Sequence, residues 1–592
     1  MADENSGRLR SERWFNDRAE PGETAVYIER YGNYGITRKE LQSGRPVIGI
    51  AQSGSDLTPC NRIHVELAAR VKDGIRDAGG IPLEFPTHPI QESCRRPTAA
   101  LDRNLAYLGL VEILCGYPFD GVVLMTGCDK TTPACLMAAA TVNLPAIVLS
   151  GGPMIDSYVD GKLAGSGVAL WEARRLLAAG FITAEELLER VSVAASSAGH
   201  CNSMGTALSM NCLAEAMGMS LPGCAAIPAP YAERAKMAYE TGRRIVGMVI
   251  EDLTPSRLLT RAAFENAIVV ASALGASTNC PPHIIAIARH MGVRLDVNDW
   301  ETIGHDVPLL ANIQPAGEFL GEDFHRAGGV PAILGELIRA GRIAADAFTV
   351  NGKSILENYG GARIQDARVI RPYDAPLKEK AGFLVVSGNL FESALVKTSV
   401  ISEDFKRRFL STPGSEDCFV SRVVVFEGPE DYRRRIEDPA LEIDETCMLV
   451  VRGTGPVAYP GSAEVVNMTP PGHLVSRNVR MLPCMGDGRQ SGTSDSPSIL
   501  HASPEAAVGG NLAILRTGDR VRVDLGNRRV DVLLRDQEIE TRREALEPMP
   551  LSHDSPWQEL YRQHVGQLES GACLEFAIPY GDLRKVVPRH SH

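Results

Sequence analysis

GVVLMTGCDKTTPACLMAAATVNLPAIVLSGGPM, residues 121–154, decides the fold. GVVLMT (121–126) is a short apolar β run, LMAAATV (136–142) is helical, and AIVLS (146–150) is a second apolar β run. A buried strand, a helix and another buried strand in succession imply a parallel βαβ unit with both faces covered. The same grammar extends upstream. VIGIAQS (47–53) reads as a strand, followed by a helix that carries Ile63, Leu67, Val71 and Ile75 on one stripe, then by IPLEF (81–85). Downstream, LWEARRLLAAG (170–180) and TAEELLERV (183–191) are helical, while residues 1–40 read as a polar arm with scattered aromatics.

Near residue 375 the pattern changes. GFLVVSG (382–388), SRVVVF (421–426), CMLVVRG (447–453), DRVRVDLG (519–526) and RVDVLL (529–534) are strands closely punctuated by Gly and Pro. They predict a β-rich second domain, a barrel. RPYDAPLKEKAG (371–382) marks the boundary, giving an α/β domain over 1–378 and a β-barrel domain over 379–592.

Composition narrows the function. The 592 residues carry 61 Lys+Arg against 73 Asp+Glu, a net charge of −12. There is no basic block of the kind that binds nucleic acid. No run of 18 apolar residues predicts a membrane span, and the charged first 20 residues lack a secretory core, so a cytoplasmic protein is expected. The thirteen cysteines are odd in number and contain no CxxC pair, which argues for reduced thiols rather than disulfides or a zinc ribbon.

Three cysteines stand apart by their settings. Cys60 in SDLTPCN and Cys128 in MTGCDKTTP each follow a strand and precede a helix, and Cys201 in SSAGHCNSMGTA opens a helical run. Such loops can converge at the carboxyl ends of parallel strands. Three thiolates there suit an iron–sulfur cluster with one iron left open, or a metal, although any one of them alone reads as a small buried hydrophobe. Asp129 beside Cys128 is a candidate Mg²⁺ ligand. Lys130 can pair with an anion, act as a base or, when carbamylated, supply ligand oxygens. Glu464 lies in the Gly/Pro turn GPVAYPGSAEVVN (455–467), and Ser491 in GDGRQSGTSDSPSIL (486–500) is a candidate nucleophile or base outside any GxSxG elbow. SGGPM (150–154) resembles a phosphate-cradling turn without the full P-loop pattern.

Together and in this order, TPCN (58–61), TGCDKTTPACLMAAA (126–140), SGGPM, GHCNSMGTA (199–207), GASTN (275–279), PGSAEV (460–465), DGRQSGTS (487–494) and SPEAAVGG (503–510) resemble the dihydroxy-acid/6-phosphogluconate dehydratase family over nearly the whole chain. HPIQESCRRPTAALDRN (88–104) resembles the sugar-acid (aldonate) branch, and the His-Glu-Gly-Met segment of the branched-chain biosynthetic enzymes is absent. The resemblance implies a C-terminal barrel like the swivelling domain of aconitases, a homodimer or homotetramer, and dehydration of an aldonate to its 2-keto-3-deoxy acid. D-Xylonate is the first expected substrate, with L-arabinonate and D-gluconate as alternatives. It further implies a [2Fe–2S] cluster (the phosphogluconate branch implies [4Fe–4S]) on Cys60, Cys128 and Cys201. Mg²⁺ is implied among Glu92, Asp129, carbamylated Lys130 and Glu464, with Ser491 as the base and Thr493 and the terminal His592 as substrate contacts. The competing readings are a dihydroxy-acid dehydratase of branched-chain biosynthesis, a non-catalytic iron–sulfur sensor, and a nucleotide-binding enzyme built on the Gly-rich loops.

Overall fold

A computed structural model describes residues 9–590. Four strands, β1 (Val47–Gln52), β2 (Ile81–Pro86), β3 (Gly121–Thr126) and β4 (Ala146–Ser150), form an all-parallel sheet in the order β2-β1-β3-β4. β3 and β4 are buried at every position, which explains their unbroken apolar runs. The helix Thr131–Val142 between them is buried along its whole length, so it lacks an amphipathic stripe and reads as uniformly apolar. A small hairpin, β5 (Tyr158–Val159) and β6 (Lys162–Leu163), follows.

Residues 9–40 depart from the polar-arm expectation. They are largely helical, with helices at Glu12–Phe15, Pro21–Gly32 and Arg38–Leu41. Trp14 and Phe15 are buried in the first core, and Ser11 donates to Asp120 at the foot of β3. Of the scattered aromatics, Trp14, Phe15, Tyr27 and Tyr31 pack against the first core, and Tyr34 stays exposed.

The second sheet has eight strands. They are β7 (Phe383–Val386), β8 (Ser393–Lys397), β9 (Cys418–Glu427), β10 (Met448–Arg452), β11 (Cys484–Gly486), β12 (Ile499–Ser503), β13 (Arg520–Asp524) and β14 (Arg529–Val532). Their order is β14-β13-β9-β10-β11-β12-β8-β7. A bridge from Ser387 to Arg529 brings the two ends together, with Ser387 N donating to Arg528 O at 3.0 Å and Val530 N to Ser387 O at 2.9 Å. The sheet is therefore nearly closed and barrel-like, which leaves little unpaired edge. Side chains alternate as a pleated strand requires. On β9, Val423 and Val425 enter the barrel core, and Val424 and Phe426 enter the layer outside it.

The same alternation joins the two lobes. Leu384 and Val386 of β7 face the barrel core, whereas Phe383 and Val385 belong to the first core, where Phe383 meets Trp300 edge-on at 5.7 Å. The last described stretch also crosses back. Tyr561, Cys573, Leu574 and Ala577 lie in the first core, and Arg103 donates to Gly571 O at 2.7 Å and Ala572 O at 2.6 Å.

Candidate functional site

The carboxyl ends of β1 and β3 carry two of the three singled-out cysteines. Cys60 sits in the short 3-10 turn Pro59–Asn61 after β1, and Cys128 in the turn between β3 and the helix Thr131–Val142. Asn61 ties the two turns, its Oδ1 accepting from Cys128 N at 2.7 Å. Cys201 arrives from farther along the chain. Pro153, just after β4, bridges His200, and Met154 N donates to His200 O at 2.9 Å, so the SGGPM turn positions the Cys201 loop.

Polar hydrogens approach the sulfurs. Gln91 Nε2 donates to Cys60 Sγ at 3.0 Å, Glu92 N to Cys128 Sγ at 3.5 Å, and Ser166 Oγ lies 3.6 Å from Cys201 Sγ. A hydrogen bond from Cys128, helped by Gln91, holds the Cys60 thiol below its ordinary pKa against the effect of burial. That same bond, with burial, pushes Cys128 up. Burial, and then the charges of Cys60 and Asp129, push Cys201 up. One thiol favoured as thiolate and two held protonated, in a pocket supplied with donors to sulfur, make up a soft donor set of the kind that binds iron.

Beside them lies a hard donor set. Single oxygens of Glu92, Asp129 and Glu464 lie within 4.8 Å of one another, the arrangement a small divalent cation requires. Lys130 Nζ stands among them at 2.8 Å from Glu92, 3.6 Å from Asp129 and 3.2 Å from Glu464, fully buried. Burial works against the ammonium, but Glu464 and Glu92 outweigh it and raise the Lys130 pKa. Burial pushes Glu92 up to about 7 and also raises Asp129. For Glu464, burial is overcome by Lys130, Arg489 and the Asn279 hydrogen bond, which hold it below the usual range. The unmodified ammonium thus serves as the cation of the cluster. A carbamate on Nζ would replace that positive charge with an anionic oxygen donor and create a demand for a divalent ion.

Arg489 completes the cluster. Only 1% exposed, it donates from Nη1 to Glu464 Oε1 at 2.7 Å and Asn279 Oδ1 at 3.0 Å, and from Nη2 to Thr98 Oγ1 at 3.1 Å. Asn279 Nδ2 reaches Glu464 Oε1 at 2.5 Å and Thr206 Oγ1 at 3.0 Å, and Thr206 hydrogen-bonds Asp129. Sequence reasoning missed Arg489, Asn279, Thr206, Gln91 and Asn61. Each stood inside a quoted motif, but only ionisable ligands and nucleophiles were sought there.

Ser491 lies in the same loop as Arg489 and Gln490, which reach the carboxylate cluster. Asn279 Nδ2 approaches Gln490 O at 3.4 Å on the carboxylate side, and Ser491 Oγ lies 3.0 Å from Thr493 Oγ1. On the sulfur side, Ser166, the neighbour of Cys201, is followed by Gly167, whose Cβ, if it had one, would lie 2.5 Å from Thr493 Oγ1. Thr493 lines a cavity of about 1030 Å³ together with Trp171, Arg175, Gln314 and Asp495. His592 lies outside the described residues.

Comparison with known proteins agrees with this architecture. Residues 45–358 match the dihydroxy-acid/6-phosphogluconate dehydratase N-terminal domain, and residues 368–572 the C-terminal domain. The chain is 59% identical to the D-xylonate dehydratase of Caulobacter vibrioides over 99% of its own length and 98% of that protein. It is 42% identical to the L-arabinonate dehydratase of Rhizobium leguminosarum bv. trifolii, with 96% of both chains covered. It is 38% identical to a dihydroxy-acid dehydratase of Caldanaerobacter subterraneus over 86% of this chain and 89% of the relative. With both domain models matched in order over a site of three thiols and three carboxylates, the chain belongs to the dihydroxy-acid/6-phosphogluconate dehydratase family.

Proposed function

We propose that this protein is an aldonate dehydratase, a hydro-lyase that converts D-xylonate, and related sugar acids such as L-arabinonate or D-gluconate, to the 2-keto-3-deoxy acid. The observation that supports the reading is the Glu92–Asp129–Glu464 triad around buried Lys130, next to the Cys60 and Cys128 turns, with Arg489 of the Ser491 loop bonded to Glu464. Similarity to the D-xylonate and L-arabinonate dehydratases, and to a 6-deoxy-6-sulfo-D-gluconate dehydratase of Pseudomonas putida at 35% identity, supports a sugar acid as the substrate class.

The donor sets fit a [2Fe–2S] cluster on the three cysteines, with [4Fe–4S] the alternative, and Mg²⁺ on Glu92, Asp129, carbamylated Lys130 and Glu464. When bound, these groups supply Lewis acidity for the departing hydroxyl and positive charge beside the substrate carboxylate. The protein's own residues do the rest. Asn279 and Arg489 hold Glu464 in place, and Lys130 sets the charge of the inner cluster. Ser491 Oγ, in its deprotonated form, takes the C2 proton. Thr493 borders the cavity by which substrate enters, and His592 is a further candidate substrate contact. The division at 378/379, with a C-terminal domain of the aconitase swivel type, a homodimeric or homotetrameric assembly and a cytoplasmic location belong to the same reading. Among the described residues no helix is long and apolar enough to cross a membrane.

The test is anaerobic purification with iron, sulfide and magnesium analysis and spectroscopic typing of the cluster. Keto-acid detection follows with D-xylonate, L-arabinonate, D-gluconate and 2,3-dihydroxyisovalerate. Turnover of the last compound alone would replace this reading with that of a branched-chain biosynthetic enzyme. A cluster without turnover of any of them would favour the sensor.

A further inference from the structure

A serine hydroxyl is a weak base, and the surroundings of Ser491 contain a device that addresses this. Thr493 Oγ1 is 3.1 Å from Trp171 Nε1 and 3.0 Å from Ser491 Oγ. An indole N–H donates and cannot accept. The threonine oxygen is therefore the acceptor toward Trp171; its second lone pair accepts from a neutral Ser491 hydroxyl, and its own proton is available to donate once Ser491 is deprotonated. Among the described residues the remaining hydrogen-bond neighbour of that hydroxyl is Ser491 Oγ. Thr493 N also points at Ser491 Oγ, at 3.5 Å.

The arrangement is held rigidly. Gly167 has φ +83, and its missing Cβ is what lets the start of the helix Val168–Ala178 press against Thr493. From the other side, a Cβ on Gly205 would stand 3.0 Å from Thr493 Cγ2. Arg174 lies over the Trp171 ring at 5.0 Å from its centroid. The charged groups around the relay are already engaged. Arg175 pairs with Asp495 and with Glu172, and the guanidinium of Arg489, two residues before Ser491, binds Glu464, Asn279 and Thr98.

We infer that Trp171 and Thr493 form a donor relay in which Trp171 occupies one lone pair of Thr493 Oγ1 and Thr493 turns its proton to Ser491 Oγ when the serine is deprotonated, making both of them positioning residues for the base. The inference rests on the reading of Ser491 as that base. A hydrogen bond to an alkoxide is stronger than one to a neutral hydroxyl, so the relay favours the deprotonated serine. No proton moves along the relay. Trp171 and Thr493 keep theirs, and the proton taken from substrate C2 ends on Ser491 Oγ.

The experiment compares the pH dependence of kcat for the cofactor-loaded enzyme and its Thr493→Val, Thr493→Ser, Trp171→Phe and Ser491→Ala variants, with iron, sulfide and magnesium measured in each. Thr493→Val is expected to move the acid limb of the profile up by about one pH unit, and Trp171→Phe by a smaller step in the same direction. Thr493→Ser restores the wild-type limb. A purely packing role would lower kcat without moving the limb. If Thr493→Val loses its cofactors, the Trp171→Phe and Thr493→Ser pair decides the matter. An inactive Ser491→Ala alongside unmoved limbs in the other variants overturns the relay alone. Near-normal turnover by Ser491→Ala overturns the base assignment itself.

Discussion

Arg489 Nη1 donates to Glu464 Oε1 at 2.7 Å, from a guanidinium that is 1% exposed and also held by Asn279, Thr98 and the Ser462 carbonyl. The arginine comes from the loop that carries Ser491 and the glutamate from the turn PGSAEV, and this buried ion pair, with backbone bonds from Val465 N to Arg489 O and from Arg489 N to Ala463 O, fixes the spacing between that loop and the carboxylate cluster.

Arg489→Met leaves the carboxylates with Lys130 as their remaining close cation. It is expected to lower stability by about 3 kcal/mol, because removing one partner of a buried pair strands the other. Magnesium content and turnover fall with it. Thermal unfolding and elemental analysis check both effects, and an unchanged melting temperature with full magnesium would refute the role.

Gly492 separates Ser491 from Thr493. A Cβ there would lie 2.5 Å from Ser277 Oγ and 2.7 Å from Thr206 N. Thr206 N is backbone and cannot yield, so Gly492→Ala is expected to displace the loop and cut kcat by more than tenfold while the cluster is retained. Steady-state kinetics alongside iron and sulfide analysis would show this.

Cysteine replacement should divide the thiols sharply. Cys60→Ala, Cys128→Ala and Cys201→Ala are each expected to lose iron, sulfide and visible absorption. Cys135, buried in the helix Thr131–Val142, is 3% exposed, and Cys135→Ala is expected to keep its cluster at a cost of about 1 kcal/mol of stability. A cluster surviving in Cys201→Ala would exclude that residue as a ligand.

Asp156 gives a pH signature away from the metal ligands. Burial, followed by the charges of Asp323 and Glu322, raises its carboxyl to about 7, and its backbone N–H is held by Glu322 Oε2 at 2.8 Å. A folded-state pKa above the unfolded one means that folding is favoured by the proton. Its contribution is complete below about pH 4 and is lost as pH rises toward 7. Asp156→Asn is therefore expected to raise the melting temperature at pH 8, with the difference closing by pH 5. A constant difference across that range would rule the titration out.

The sequence made the sheet grammar legible because β3 and β4 are buried on both faces and read as unbroken apolar runs. It also named the three carboxylates whose oxygens lie within 4.8 Å of one another. Arg489 and Asn279 escaped notice because their importance comes from partners that are 210 residues apart in sequence and 3.0 Å apart in space. Trp171 escaped for a similar reason: its indole N–H meets Thr493 across 322 positions, a contact no local periodicity announces. The packing of residues 9–40 was not legible because an aromatic residue on a short helix carries no sign of whether a distant strand end will cover it.

The return of the C-terminal stretch to the first core has a consequence for biosynthesis. Arg103 and Asn104 find their acceptors on Gly571 and Ala572, and Cys573 and Leu574 fill space among residues translated hundreds of codons earlier. The α/β lobe emerging from the ribosome must therefore wait, with an unsealed seam and a buried guanidinium lacking its carbonyls, until residues 571–577 have been translated. Termination before residue 571 would damage the oldest part of the protein as well as remove the later one.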